Sequence, residues 1–109
     1  MSATWEELER LQLAVGTIRE VEELAGARRP AYTLRIDFGP RGERRSSAQI
    51  AHYRKEELVG RQVVAVLGLA PKRIAGFVSE VLVLGALSDE QGVVLLRPDR
   101  PVEDGSAVA

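Results

Sequence analysis

Two basic pairs and one acidic doublet are the residues in this chain whose types and spacing could do chemistry. Lys72-Arg73 stand between Pro71 and Gly76, and Arg28-Arg29 stand directly before Pro30. Each pair therefore sits on a stretch where proline fixes the backbone, and a rigid cation suits phosphate. Ser79-Glu80 interrupt a run that is otherwise apolar, Phe77-Val78 before and Val81-Leu82-Val83-Leu84 after. A hydroxyl and a carboxylate there can accept hydrogen bonds or touch a ligand. Catalysis has little to work with. His52 is the only histidine and cysteine is absent, which leaves neither a two-histidine metal site nor a thiolate. No GxGxxG or phosphate-loop pattern is present. The expectation is a binding protein with no catalytic residues, no metal and no cofactor.

Charge strengthens the binding reading. Between Arg28 and Arg73 there are eleven basic and four acidic residues (+7), and outside it four basic and twelve acidic (−8). The net charge of −1 conceals this division. A cationic surface on an acidic body favours a polyanion. Hydrophobic residues make up 45% of the 109, enough for one domain over 1–109. No run reaches the length of a membrane span, and the acidic start (Glu6, Glu7, Glu9) is not a signal peptide, so a cytoplasmic setting is expected.

The elements that must position these residues read as follows. Thr4-Trp5-Glu6-Glu7 forms a capping box, and Trp5, Leu8 and Leu11 line one stripe of a short helix within 1–12. So short a helix needs a surface to dock on, either its own barrel or a partner subunit, and these three residues are the expected dimer contacts. Leu13–Leu24 changes apolar parity around Gly16, the mark of a bulge or bend in a strand that serves two sheets. Tyr32, Leu34, Ile36 and Phe38 alternate with Thr33, Arg35 and Asp37 in a half-buried strand. Gly39-Pro40-Arg41-Gly42 turns the chain, and Arg44–Ile50 returns as a polar, surface-facing partner. Tyr53–Leu58 predicts a short helix. Val63–Leu69 and Phe77–Leu84 predict two strands buried on both faces, joined through Pro71–Gly76 by a loop or single helical turn. Val93–Leu96 adds a strand, and 98–109 is expected to pack as coil on the barrel or on a dimer partner.

Five or six short strands with a helix before the fourth point to an all-β, five-stranded Greek-key barrel of the OB type with short helices and terminal extensions. Such barrels bind oligonucleotides across strands 2 and 3 and the adjoining loops. That places Arg28, Arg29, Arg35, Arg44, Arg45, Ser47, Gln49, Lys72, Arg73 and Phe77 on the expected RNA surface. Phe77 is the one aromatic beside the basic connector. With so few stacking platforms, a folded RNA fits better than a single strand read base by base.

The order of segments resembles the tRNA-binding domain of the endothelial monocyte-activating polypeptide type. Val15-Gly16-Thr17-Ile18, Ala27–Leu34 and Asp37-Phe38-Gly39 match its opening strands. Leu58–Val63 through Pro71–Gly76 matches its central strand and basic connector, and Ser79–Ala86 its serine-glutamate signature. The stand-alone CsaA-like branch fits over essentially the whole chain, through Arg45–Ile50, Phe77–Gly85 and Gly92–Pro101. The resemblance implies a non-catalytic OB-fold homodimer that binds tRNA, with Ser79 and Glu80 at the RNA surface. It also implies a second role, as an export-related chaperone holding unfolded preproteins. Where the wider family usually has Gly-Met after Ser-Glu, Val81-Leu82 stand here, and Gly68-Leu69-Ala70-Pro71 replaces Asn-Leu-Lys-Pro. Ser46–Gln49 stands in place of a Ser-Gly element. These differences lie on the expected RNA surface and leave room for a peptide ligand.

Overall fold

Strand β1 (Leu13–Glu23) has eleven residues and two partners. In the computed structural model, which describes residues 1–109, its first part pairs with β4 (Gln62–Val66), from Leu13↔Val66 to Thr17↔Gln62. Its second part pairs with β2 (Tyr32–Asp37), from Thr17↔Asp37 to Glu23↔Tyr32. Register slips between Ile18 and Glu20, so the bulged residue is Arg19. Gly16 has a separate reason to lack a side chain. A Cβ there would lie 2.6 Å from Phe38 Cδ1 and 2.8 Å from Ile36 Cγ2. The parity change thus comes from a bulge at Arg19, one residue beyond the strand's centre, and the glycine admits the Phe38 ring.

The remaining barrel strands are β3 (Glu43–Ala48), antiparallel to β2, and β7 (Leu82–Val83), antiparallel to β4. Sheet order is β3-β2-β1-β4-β7. The first three strands form a meander and the fourth returns beside the first, a Greek key in a nearly closed antiparallel barrel of the OB kind. Alternation on β2 buries Tyr32, Leu34 and Ile36 and leaves Thr33, Arg35 and Asp37 half-buried. Ile18, Ile36, Phe38, Ile50, Leu58 and Val63 are fully buried in the centre. Leu58 reaches the core from α2 (Lys55–Leu58), a single turn and shorter than the Tyr53–Leu58 helix expected.

The two apolar runs differ most from expectation. The connector is a hairpin, not a loop or helical turn: β5 (Lys72–Ile74) pairs with β6 (Phe77–Ser79). Ala75 (φ 50°) and Gly76 (φ 80°) form its two-residue turn, and paired left-handed residues match the twist of hairpin strands. The run Phe77–Leu84 is not buried on both faces. It breaks at Glu80-Val81 between β6 and β7, and Leu82 is exposed while Leu84 is half-buried. β3 also departs from its polar reading, because Ser46 is fully buried. A further hairpin, β8 (Gly85–Ser88) with β9 (Gly92–Leu95), follows the barrel.

Both chain ends lie against the barrel. The helix α1 (Trp5–Leu11) has the capping box: Glu7 N–H donates to Thr4 Oγ1 at 3.1 Å and Thr4 N–H to Glu7 Oε1 at 2.8 Å. It buries no residue, and Trp5 stays 80% exposed. Only its last turn is tied down, by Leu67 N–H and Gly68 N–H donating to the Gln12 and Leu11 carbonyls. The tail after β9 runs back along β1. Val15 N–H donates to Ser106 O, Gly105 N–H to Val15 O and Val108 N–H to Leu13 O. Gln62 clasps it on the other side, bonding Val102 through both its carbonyl and amide.

Candidate nucleic-acid interface

The Ser79-Glu80 doublet is the seam of the barrel. β7 covers β4, but no ladder joins its segment to β3. Side chains and one backbone bond supply the missing links. Glu80 Oε1 accepts Arg45 N–H at 2.8 Å, and Glu80 N–H donates to Arg45 O at 2.8 Å. One turn of the pleat away, Ser79 Oγ accepts Ser47 N–H at 3.1 Å and lies 3.2 Å from the Val81 carbonyl. Ser46 Oγ reaches the same carbonyl at 3.1 Å. Two hydroxyls and a carboxylate thus satisfy a backbone that bends too sharply to pair. Buried polar groups demand such partners, which is why polar residues interrupt an apolar run.

Beside the seam lies a groove of about 800 Å³. Its walls are the β1–β2 loop (Leu24, Ala27, Arg28, Arg29), the end of β3 (Ser47, Gln49, Ile50), the β5–β6 tip (Ile74, Ala75), and β7 to β9. Thirteen of its 19 lining residues are hydrophobic, so the floor is apolar and the arginines stand at the rim. Arg28, Arg29, Lys72 and Arg73 are exposed. The molecule's six ion pairs include none of them, and Arg73 only bridges its own hairpin by donating to Gly76 O at 3.3 Å. Their charge is available to a ligand.

Other expected residues are otherwise engaged. Arg35 lies on the outer face of β2, held by Glu43 at 2.6 Å and Glu20 at 3.3 Å. The hydrogen bond that Arg35 donates to Glu43, with the charge of that carboxylate, holds the Arg35 guanidinium above its usual pKa. Arg45 lies 5.0 Å over the Phe77 ring, so that ring is occupied by a cation of its own chain. Arg44 donates to the Arg41 carbonyl at 3.3 Å. Ser47 and Gln49 line the groove. His52 is spoken for by a 2.9 Å contact between Nε2 and the Val93 carbonyl. No group of three His, Cys, Asp or Glu residues is arranged to hold a metal.

Sequence reasoning allows a partly apolar groove near Phe77, but it did not single out the residues that build this floor, largely Ile74, Leu82, Leu84, Leu87 and Val93. The excess of apolar residues over what a small barrel can bury, with Leu82 and Leu87 left outside, was the available signal.

The family model described as "Putative tRNA binding domain" matches residues 13–107, from the first residue of β1 to the tail bonded along it. The chain belongs to this tRNA-binding domain family. As a member, this tRNA-binding domain is 33% identical over 101 residues to a methionine–tRNA ligase of Methanocaldococcus jannaschii, covering 93% of the chain. It is 38% identical over 104 residues to that of Methanopyrus kandleri, covering 94%. The chain spans only 15% of the length of each ligase. Two crystal structures match along their whole length. The CsaA chaperone protein of Picrophilus torridus is 44% identical with a TM-score of 0.93, covering 99% of this chain and 100% of that one. The chaperone CsaA of Bacillus anthracis is also 44% identical, with a TM-score of 0.91 and full coverage of both chains.

Proposed function

We propose that this tRNA-binding domain acts without catalysis, as a homodimeric binder of tRNA or other structured RNA in the cytoplasm. The observation that carries the reading is the apolar-floored groove rimmed by Arg28 and Arg29, with Lys72-Arg73 on the adjoining hairpin, all four free of ion pairs, in a chain of this family. The four cations contact phosphates, and Ser47 and Gln49 offer hydrogen-bond groups between them. Ser79 and Glu80 act through the seam that fixes Arg45 and Ser47, and Arg35 and Arg44 add to the field around the site. Family membership supports tRNA as the ligand, and the hairpin geometry supports a rigid presentation of Lys72 and Arg73.

Dimerisation rests on α1, whose Trp5, Leu8 and Leu11 stay at least one-third exposed in the single chain. A second copy would cover them. Light scattering on a chain lacking residues 1–11 tests this, and a truncated chain that stays dimeric removes the helix from the interface.

A second reading has its own support in the thirteen hydrophobic residues of the groove. An extended, unfolded segment of a preprotein could lie there, as the chaperone neighbours suggest. Binding of folded tRNA, single-stranded RNA and an unfolded protein, each at two salt concentrations, separates the two. Phosphate-led binding weakens steeply with salt, whereas apolar binding does not. Affinity for tRNA that does not change with salt would set the first reading aside.

A further inference from the structure

A second groove, of about 730 Å³, opens at the other end of the β1–β2 hairpin. Its walls are Thr17 and Arg19 of β1, the turn from Glu57 to Gln62, and the segment from Arg97 to Pro101. Only one lining residue is hydrophobic. Arg28 and Arg29 lie beyond Glu23, six residues along β1 from Thr17, or roughly 20 Å at the rise of a strand. The two grooves share no lining residue.

Four arginines line this second groove, and they are not equivalent. Arg19 is shared between Asp37 (3.5 Å) and Asp104 (3.6 Å), and Arg100 lies 3.5 Å from Asp99. Glu57 also lines the groove and lies 3.9 Å from Arg54. Arg61 and Arg97 have no ion pair. Arg97 is exposed, whereas Arg61 is half-buried, its guanidinium 5.3 Å over the Tyr53 ring and its Nε buried without a hydrogen-bond partner. That Nε is the molecule's one buried side-chain polar atom left unsatisfied. A desolvated charged donor is costly to leave unmade, and the Tyr53 face is the contact that orients the Arg61 guanidinium.

We infer that this groove is a second anion site, taking a phosphate group between Arg61 and Arg97. Guanidinium forks bond phosphate oxygens in pairs, and the partial desolvation of Arg61 strengthens that attraction relative to a fully solvated cation. The phosphate can belong to an RNA backbone or be free, and the inference does not depend on the RNA contacts at Lys72 and Arg73.

The test uses the full ¹⁵N-labelled chain titrated with inorganic phosphate at constant ionic strength, with chloride as the control. Saturable shifts at the Arg61 Nε–H and the Gly60 and Gln62 amides, absent with chloride, are expected. Arg97→Gln, at an exposed position that leaves the fold intact, should weaken the phosphate response at least several-fold, and R61Q should abolish it. Titration with tRNA identifies the source. Displacement of phosphate from Arg61 by tRNA assigns the site to the RNA backbone, and saturable phosphate binding untouched by tRNA assigns it to the free ion. Shifts that fail to saturate with either probe, or a phosphate response unchanged in Arg97→Gln, overturn the proposal. A protein that binds no tRNA at all but keeps the phosphate response would refute the RNA reading and leave this one standing.

Discussion

Glu80 engages both backbone polar groups of Arg45: its carboxylate accepts the Arg45 N–H at 2.8 Å, and its own N–H donates to the Arg45 carbonyl at 2.8 Å. A side chain thereby completes a pair that two strands would ordinarily make. Glu80→Ala removes a charge-assisted bond at a half-buried seam and should cost about 1–2 kcal/mol. In a chain of this size that lowers Tm by about 4–8 °C per kcal/mol. Ser79→Ala should cost a similar ~1–3 kcal/mol, because Ser47 N–H then loses its acceptor. Thermal unfolding measures both. Below the transition, tRNA affinity should be unchanged in Glu80→Gln, which keeps an acceptor oxygen for the Arg45 N–H and so preserves the seam.

The Phe38 ring lies where the Gly16 side chain would be. Gly16→Ala places a methyl 2.6 Å from that ring in the centre of a fully packed core. Overpacking of this kind costs about 1–3 kcal/mol, and chemical denaturation should show a lower midpoint with an unchanged slope.

Lys72 and Arg73 stand on a hairpin whose removal of charge does not disturb the core. The double variant Lys72→Ala, Arg73→Ala should bind tRNA more weakly at low salt and flatten the dependence of log K on log salt by about 2. Filter binding at several salt concentrations, with Arg35→Gln as a comparison, reads this directly. Arg35 is held by Glu43 and Glu20, so its loss should leave the slope nearly as in the parent.

Those same ion pairs set a pH expectation. The Arg35 pKa is raised in the fold by its hydrogen bond to Glu43. A group whose folded pKa lies above its unfolded value contributes stability that is complete below the unfolded value and is lost as pH rises through the folded one. For a guanidinium both values lie at extreme alkaline pH. Unfolding curves for the parent and Arg35→Gln should therefore stay a constant distance apart between pH 6 and pH 9, on the order of three pH units. A gap that closes within that range would show that Arg35 is not the titrating partner.

Much of this was legible in the chain. The alternation of Tyr32, Leu34, Ile36 and Phe38 marked its strand, and the capping box marked α1, because both depend on neighbours in sequence. The count of short strands, with a helix before the fourth, carried the barrel class, and the resemblance agreed with it. The run Phe77–Leu84 misled, since a fully apolar strand and a strand broken at a seam have the same composition. Ser79 and Glu80 were visible as anomalies, but their partners lie 32 and 35 residues away, and only the closed barrel brings them together. Arg61 and Arg97 stayed hidden for the same reason: one counted among the central cations, the other among residues that are acidic on balance.

The tail bonded along β1 has a kinetic consequence. Residues 13–15 of that strand have β4 on one side, and β2 has already ended at Thr17 on the other. Ser106, Gly105 and Val108 therefore blunt what would otherwise be an open sheet edge, the kind that recruits foreign strands. Amide exchange at Val15 then becomes a clock for the tail's detachment. Conditions that quicken it without touching Leu34 or Ile36 should also be those in which the folded protein begins to aggregate.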